Sequence, residues 1–247
     1  MVVVVATALP AVLPAASSTA ADCLLPPEPV VIARAEGPVS FVLANGRIVR
    51  LADVRPAEDI EIVAQADPRG PALLRRAMAL PEDRHGRTVG DLVMETTGES
   101  LSVRLLRRGL AFVDPAVMQD GCHRDLFSAE AEAEASRAGV WAEDGALLAA
   151  DDVDPRRDAG RFAIVEGTVA SIGTTRRTVY LNFGVDYRTD FTALARRRDV
   201  RRWEDELTRL DGERVRVRGV LEAWQGGLIR IEHPVQVERL GSSPRSP

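Results

Sequence analysis

The chain contains no lysine; all 32 basic residues among its 247 are arginine. The bland cause is a bias in genomic base composition. The functional cause is phosphate binding, which the planar guanidinium fork suits. A basic excess is also missing. The 37 acidic residues leave a net charge of −5, which excludes bulk, sequence-blind coating of nucleic acid but not a local basic site. Cysteine is limited to Cys23 and Cys122. No Cys-x-x-Cys pair exists, so a zinc site has no support. A Gly-x-Ser-x-Gly elbow, a P-loop and a dinucleotide fingerprint are absent too, which removes the commonest hydrolase and nucleotide-binding signatures. His85, His123 and His233 are scattered and read as surface residues.

What is present starts with an apolar leader, "MVVVVATALPAVLPAASSTAADC". It ends in small residues, like the cleavage region of a secretory signal, although a basic start is missing. A membrane span needs about 20 apolar residues, and Pro10 and Pro14 interrupt this run. Residues 1–22 are therefore expected to be a signal peptide, with an uncleaved anchor as the alternative. Beyond them no transmembrane segment is expected, and the localisation is periplasmic or secreted. An oxidising compartment permits a Cys23–Cys122 bridge. Two independent thiols remain the other reading.

Alternating apolar patterns then predict strands over "VVIARAEG" and "VSFVLANGRIVRLADV". Asn45-Gly46 supplies a hairpin turn between the two halves of the second run. "AEDIEIVAQAD" reads as a short helix, and "ALLRRAMAL" fits strand or helix. "TVGDLVME" reads as a strand. "ESLSVRLLRRGLAF" reads as a helix ending on Arg107, Arg108 and Gly109. "CHRDLFSAEAEAEASRAGVW" is the clearest helix. Cys122, Leu126, Ala129, Ala133 and Val140 form its apolar stripe, glutamates 130, 132 and 134 its solvated side, and Gly139 its end. Residues 144–160 read as a linker. Residues 161–241 show three strands, a helix with Trp203, Leu207 and Leu210 on one face, and a closing hairpin. That is the element order of an OB-fold. The tail 242–247 reads as disordered.

The segments "GRIVRLADVRPAED", "DRHGRTVGDLVM", "VRLLRRGLAFVD" and "EAEAEASRAGVW" together resemble the staphylococcal nuclease (thermonuclease) family. The resemblance implies a mainly β chain: a nuclease-type OB barrel with added helices over 27–143, then a second OB-like barrel. It implies hydrolysis of DNA or RNA phosphodiesters with calcium as cofactor. It also implies roles: Arg50 and Arg87 as the phosphate clamp, and Glu58 as the carboxylate that handles the attacking water. The family's two calcium aspartates fall on Pro38 and Arg55. Proline offers calcium no oxygen, and a cation at Arg55 repels a metal beside it. Asp53 and Asp59 are nearby in sequence and could compensate.

Two functions follow. The first is an exported, monomeric nuclease with a degenerate calcium site, in which metal is bound differently or Arg55 replaces its charge. The second is an inactive relative that binds nucleic acid, carbohydrate or protein. For the second barrel, Arg214, Arg216 and Arg218 alternate on one strand and form a candidate nucleic-acid face with Tyr180, Phe183 and Tyr187. The bland alternative is a solvated sheet face with the aromatics in the core.

Overall fold

Asn45 and Gly46 make the turn their sequence calls for. β2 (Ser40–Leu43) and β3 (Ile48–Leu51) pair antiparallel around them. The Leu43 N–H donates to the Arg47 carbonyl at 2.8 Å, and the Asn45 side chain accepts from the Arg47 N–H at 3.1 Å. The computed structural model describes residues 23–57, 68–117, 122–142 and 146–242. The leader over 1–22, Glu58, Asp59, most of the helix expected after Ala57, and the tail from 243 lie outside the described residues.

β1 (Glu28–Gly37) pairs with β2 on one side and with β5 (Gly70–Arg76) on the other. β6 (Thr88–Met94) runs antiparallel to β5 and parallel to β3, closing a barrel in the order β1-β2-β3-β6-β5. The ambiguous "ALLRRAMAL" is therefore a strand over its first half. Ala72 and Leu74 face the core while Leu73 between them is half-buried. Ile32, Phe41, Val49, Leu51 and Leu92 fill the interior with them.

Two helices lie against this barrel. α1 (Leu101–Arg107) starts where the Ser100 hydroxyl accepts the Val103 N–H, and it ends with Arg104 and Arg107 in its last turn. Both cations pair with Glu99, and Arg107 also pairs with Glu132. α2 (Arg124–Ser136) buries Leu126, Ala129 and Ala133, as its stripe predicts. It stops three residues before Gly139. Arg137 takes the left-handed conformation (φ 53°) and closes the helix through its own N–H. Glu130 corrects the expected solvated side, because it is 4% exposed.

Gly109 and Gly139 meet where the chain leaves each helix, and both have positive φ (63° and 54°). A Cβ on Gly109 would sit 1.9 Å from the Ala138 carbonyl oxygen, and one on Gly139 would sit 2.3 Å from the Gly109 oxygen. The Gly109 carbonyl instead accepts the Val140 N–H at 2.9 Å. At the other end of α2, Cys122 is bridged to Cys23, 99 positions away, with the Cα atoms 5.8 Å apart. The two cysteines form a disulfide.

The second unit departs from the expected five-stranded barrel. It is an eight-stranded sheet, ordered β10-β11-β12-β14-β13-β9-β8 with β15 added on β13. Its strands are β8 (Leu147–Ala149), β9 (Phe162–Thr168), β10 (Ser171–Thr174), β11 (Thr178–Asn182), β12 (Thr192–Arg196), β13 (Glu213–Glu222), β14 (Leu228–Ile231) and β15 (Val237–Ser242). The pairing path still repeats that of the first barrel, including one parallel pair, β12 with β14. Val169 bonds toward Glu213 and Ala170 toward Asn182, so β9 and β10 behave as two halves of one bent strand. The segment expected as linker supplies β8, which pairs parallel with β9, and the short helix α3 (Pro155–Asp158). The helix expected over "DVRRWEDELTRL" is two short ones, α4 (Arg197–Val200) and α5 (Glu204–Leu207). Leu207 and Leu210 still face the core, with Trp203 packed partly against it. No helix among the described residues is long and apolar enough to cross a membrane.

Candidate active site

The run "EDRHGR" forms a turn built around one carboxylate. Asp83 Oδ1 accepts the backbone N–H groups of His85 (2.9 Å) and Arg87 (3.1 Å). Its Oδ2 accepts from Arg87 Nε at 2.8 Å, and Arg87 Nη2 lies 2.7 Å from the same oxygen as an ion pair. Gly86 supplies the positive φ (73°) that lets the chain double back. Burial works to raise the Asp83 pKa. The hydrogen bonds and positive charge of Arg87 outweigh it and bring the carboxyl from 3.8 down to about 2. Arg87 is thus held by a charge-assisted pair with Asp83 yet keeps 31% of its side chain exposed.

Arg50 enters from the neighbouring strand. In the parallel ladder Arg50 lies opposite Val89, and Val49 opposite Thr88. Strand alternation places Arg50 and Arg87 on the same side of this pair, one strand across and two residues along. Val49 and Leu51 point into the core while Arg50 is half-buried on the outer face. No ion pair among the described residues uses Arg50. The ladder therefore puts both expected clamp arginines on one face, while Glu58, the expected carboxylate, lies outside the described residues.

The metal half is built for another task. Arg55, on β4 (Val54–Pro56), donates its Nε to Asp114 Oδ2 at 2.8 Å. Its guanidinium lies 5.2 Å from the centroid of the Phe162 ring, over its face. β4 pairs with β7 (Ala111–Val113), and Arg55 lies opposite Phe112. Phe112 stacks on Phe162 at 5.8 Å and meets Trp141 edge-on at 5.7 Å. These rings join Ala57, Ala133 and Ile164 in an apolar cluster shared by the two units. The position the resemblance gives to a calcium aspartate has become part of the seam between units.

At the two positions that the resemblance gives to calcium aspartates, the residues present do not fit calcium. Pro38 sits in the β1–β2 turn with no oxygen on its side chain, and Arg55 is committed to Asp114. Asp53 does not compensate. It is 1% exposed, with Oδ1 accepting from Ala116 and Val117 N–H groups and Oδ2 bonded to His123 Nε2 at 2.8 Å. No group of three histidines, cysteines or carboxylates able to hold a metal occurs among the described residues. His123 also corrects its surface assignment, since it is 2% exposed.

The expected arginine face on β13 is not open. Arg218 is 2% exposed and bonds to Glu130 at 2.8 Å and to the Val113 carbonyl at 3.1 Å. Its guanidinium also lies 4.6 Å from the Phe127 ring centroid. Arg216 forks onto Glu134 at 2.8 and 2.7 Å and bonds to Glu166. Burial works to lower its pKa, but the two glutamates outweigh that and raise it. Arg214 pairs with Glu166 as well. Arg216 and Arg218 bind α2 to the second sheet, while Arg214 pairs within the sheet. Their alternation was legible, but their partners, 82 and 88 positions away, were not.

The family model described as staphylococcal nuclease homologue matches residues 73–143. No curated protein matches the chain. The matched stretch runs from β5 through the Asp83–Arg87 turn, β6, α1, β7 and α2 to Trp141. Residues 73–143, with the arginine turn and the helix pair that they form, are thus similar to the staphylococcal nuclease homologue family.

Proposed function

We propose that the chain is an exported phosphodiesterase of the thermonuclease type, acting on DNA or RNA. One observation carries this reading: Arg50 and Arg87 share the outer face of paired strands, and Arg87 is held in place by Asp83. Two guanidinium groups on one face, that of Arg87 preorganised by Asp83, bind a phosphodiester and stabilise the charge that builds on its equatorial oxygens during attack. Glu58 would take a proton from the attacking water. A new P–O bond then forms, the P–O bond to the leaving oxygen breaks, and solvent protonates that oxygen. No step is routed through calcium, because Pro38 and Arg55 cannot hold it. Export is supported by the apolar leader and by the Cys23–Cys122 disulfide, which suits an oxidising compartment.

A second reading, a binding protein without turnover, is favoured by the commitment of Arg55 to Asp114. One assay separates the two. The mature protein is incubated with single-stranded and duplex DNA in calcium, in other divalent ions, or in EDTA. Cleavage that falls by at least about 100-fold in both Arg87→Ala and Glu58→Gln supports the enzyme. Binding without cleavage under every condition, weakening as salt rises, supports the module instead.

A further inference from the structure

The arginines of β13 are all paired with glutamates, yet the second unit has another arginine surface, on a different face. Arg176, Arg177, Arg196, Arg197, Arg198 and Arg201 line an open groove of about 690 Å³. Glu204 is the one acid in its lining, and it is paired with Arg197 at 2.7 Å. Arg176, Arg177, Arg196 and Arg201 are exposed, and none forms an ion pair among the described residues. This is a concentrated positive surface on a chain of net charge −5.

The same sheet face continues into an aromatic pocket. On β11, Thr178, Tyr180 and Asn182 point outward while Val179 and Leu181 are buried. Thr178 lines the arginine groove. Tyr180 and Asn182 line a second hollow of about 330 Å³ with Gly173, Tyr187, Thr192 and Trp224. Thr178 lies opposite Arg196 on β12, and Asn182 lies opposite Thr192, so the two hollows sit at the two ends of one strand pair. The run from Thr178 to Asn182 spans about 13 Å. Tyr187 is 51% exposed and Trp224 39%. Thr192 is 1% exposed, and its hydroxyl has no hydrogen-bond partner among the described residues. Gly173, opposite Tyr180 on β10, leaves the ring face clear of a neighbouring side chain.

We propose that this face is a binding site for single-stranded nucleic acid, with the backbone along the arginine groove and a base stacked in the Tyr180–Trp224 pocket. Guanidinium forks match phosphate oxygens. Aromatic faces accept any unstacked base, and the pairing of a charged track with stacking rings is what a sequence-tolerant single-strand site requires. Duplex DNA keeps its bases stacked on one another and leaves the pocket unused. A neutral polysaccharide has no use for the arginines, and a sulfated one has no base for the rings. The site is separate from Arg50 and Arg87 and does not depend on turnover there.

The test uses full-length mature protein carrying Arg50→Ala and Arg87→Ala, in EDTA, so that the first unit neither clamps nor cleaves. Fluorescence anisotropy follows a labelled oligothymidylate of about 12 nucleotides. We expect binding that is tighter for the single strand than for duplex and that quenches Trp224. Arg177→Ala, Arg196→Ala and Arg201→Ala together should weaken it and lower the salt slope by about 2. Trp224→Ala should weaken it by about five-fold or more at an unchanged salt slope, and Trp224→Phe should restore most of that loss. Absence of binding in this background overturns the proposal, whether or not the native protein cleaves DNA. So does affinity untouched by the arginine triple or by Trp224→Ala, or tighter binding of sulfated polysaccharide than of the oligonucleotide.

Discussion

Asp83 carries much of the local burden of the site. It holds both the turn and the guanidinium of Arg87, and its pKa is lowered from 3.8 to about 2. A carboxylate with a depressed folded pKa contributes stability that is present above its unfolded pKa and is lost as pH falls through the folded one. The wild-type advantage over Asp83→Asn should therefore hold above about pH 4 and vanish toward pH 2, from about 1 kcal/mol after allowing for solvent screening. Urea unfolding of both proteins across that range checks it; a gap that does not close refutes the pairing. The identity of the turn was legible because its contacts span four residues or fewer. The fate of Arg55 was not, because Phe162 comes from the other unit.

Among the elements, those with local causes were read correctly. The Asn-Gly hairpin and the cation-rich end of α1 depend on residues within one turn of each other. The end of α2 was misplaced because Gly139 serves contact with Gly109 rather than helix termination. That contact makes a clear prediction. Gly109→Ala places a methyl group against the Ala138 carbonyl in a left-handed conformation, and it should destabilise the protein by more than about 2 kcal/mol. Chemical denaturation measures it, and a loss under about 0.5 kcal/mol would show that the two glycines are not in contact. β8 escaped the sequence reading for a related reason: three residues gain strand character only by pairing parallel with β9.

For the whole molecule, the seam holds the two units together and the disulfide ties the segment before β1 to the start of α2. Arg218→Leu strands Glu130 as a buried charge and should cost about 3 kcal/mol or more. Adding Glu130→Met should recover a good part of that, giving a coupling energy of about 2 kcal/mol in a double-mutant cycle. Strict additivity would mean the two side chains do not interact. The Cys23–Cys122 bridge closes a loop of 99 positions. Cys122→Ser should lower unfolding stability by about 2–5 kcal/mol, and a thiol titration of the unreduced native protein should find no free thiol. Two titratable thiols would sink the bridge. The interior of each unit was foreseeable from alternation alone, but the branched eight-stranded sheet was not, since β15 and β8 add edges that no local pattern announces.

By itself, the sequence determined the nuclease-like stretch, the β-rich class, the hairpin and the arginine turn. Each rests on residue type or on neighbours a few positions apart, where chain geometry leaves little choice. Tertiary structure decided which arginines are available. Alternation marks Arg214, Arg216 and Arg218 as one face, but only packing shows that face neutralised by Glu130, Glu134 and Glu166. It also shows exposed arginines gathered beside Tyr180 and Trp224 instead. A guanidinium binds whichever carboxylate the fold brings to it. Whether one is left for phosphate depends on residues far away in the chain, and strand spacing carries no information about them.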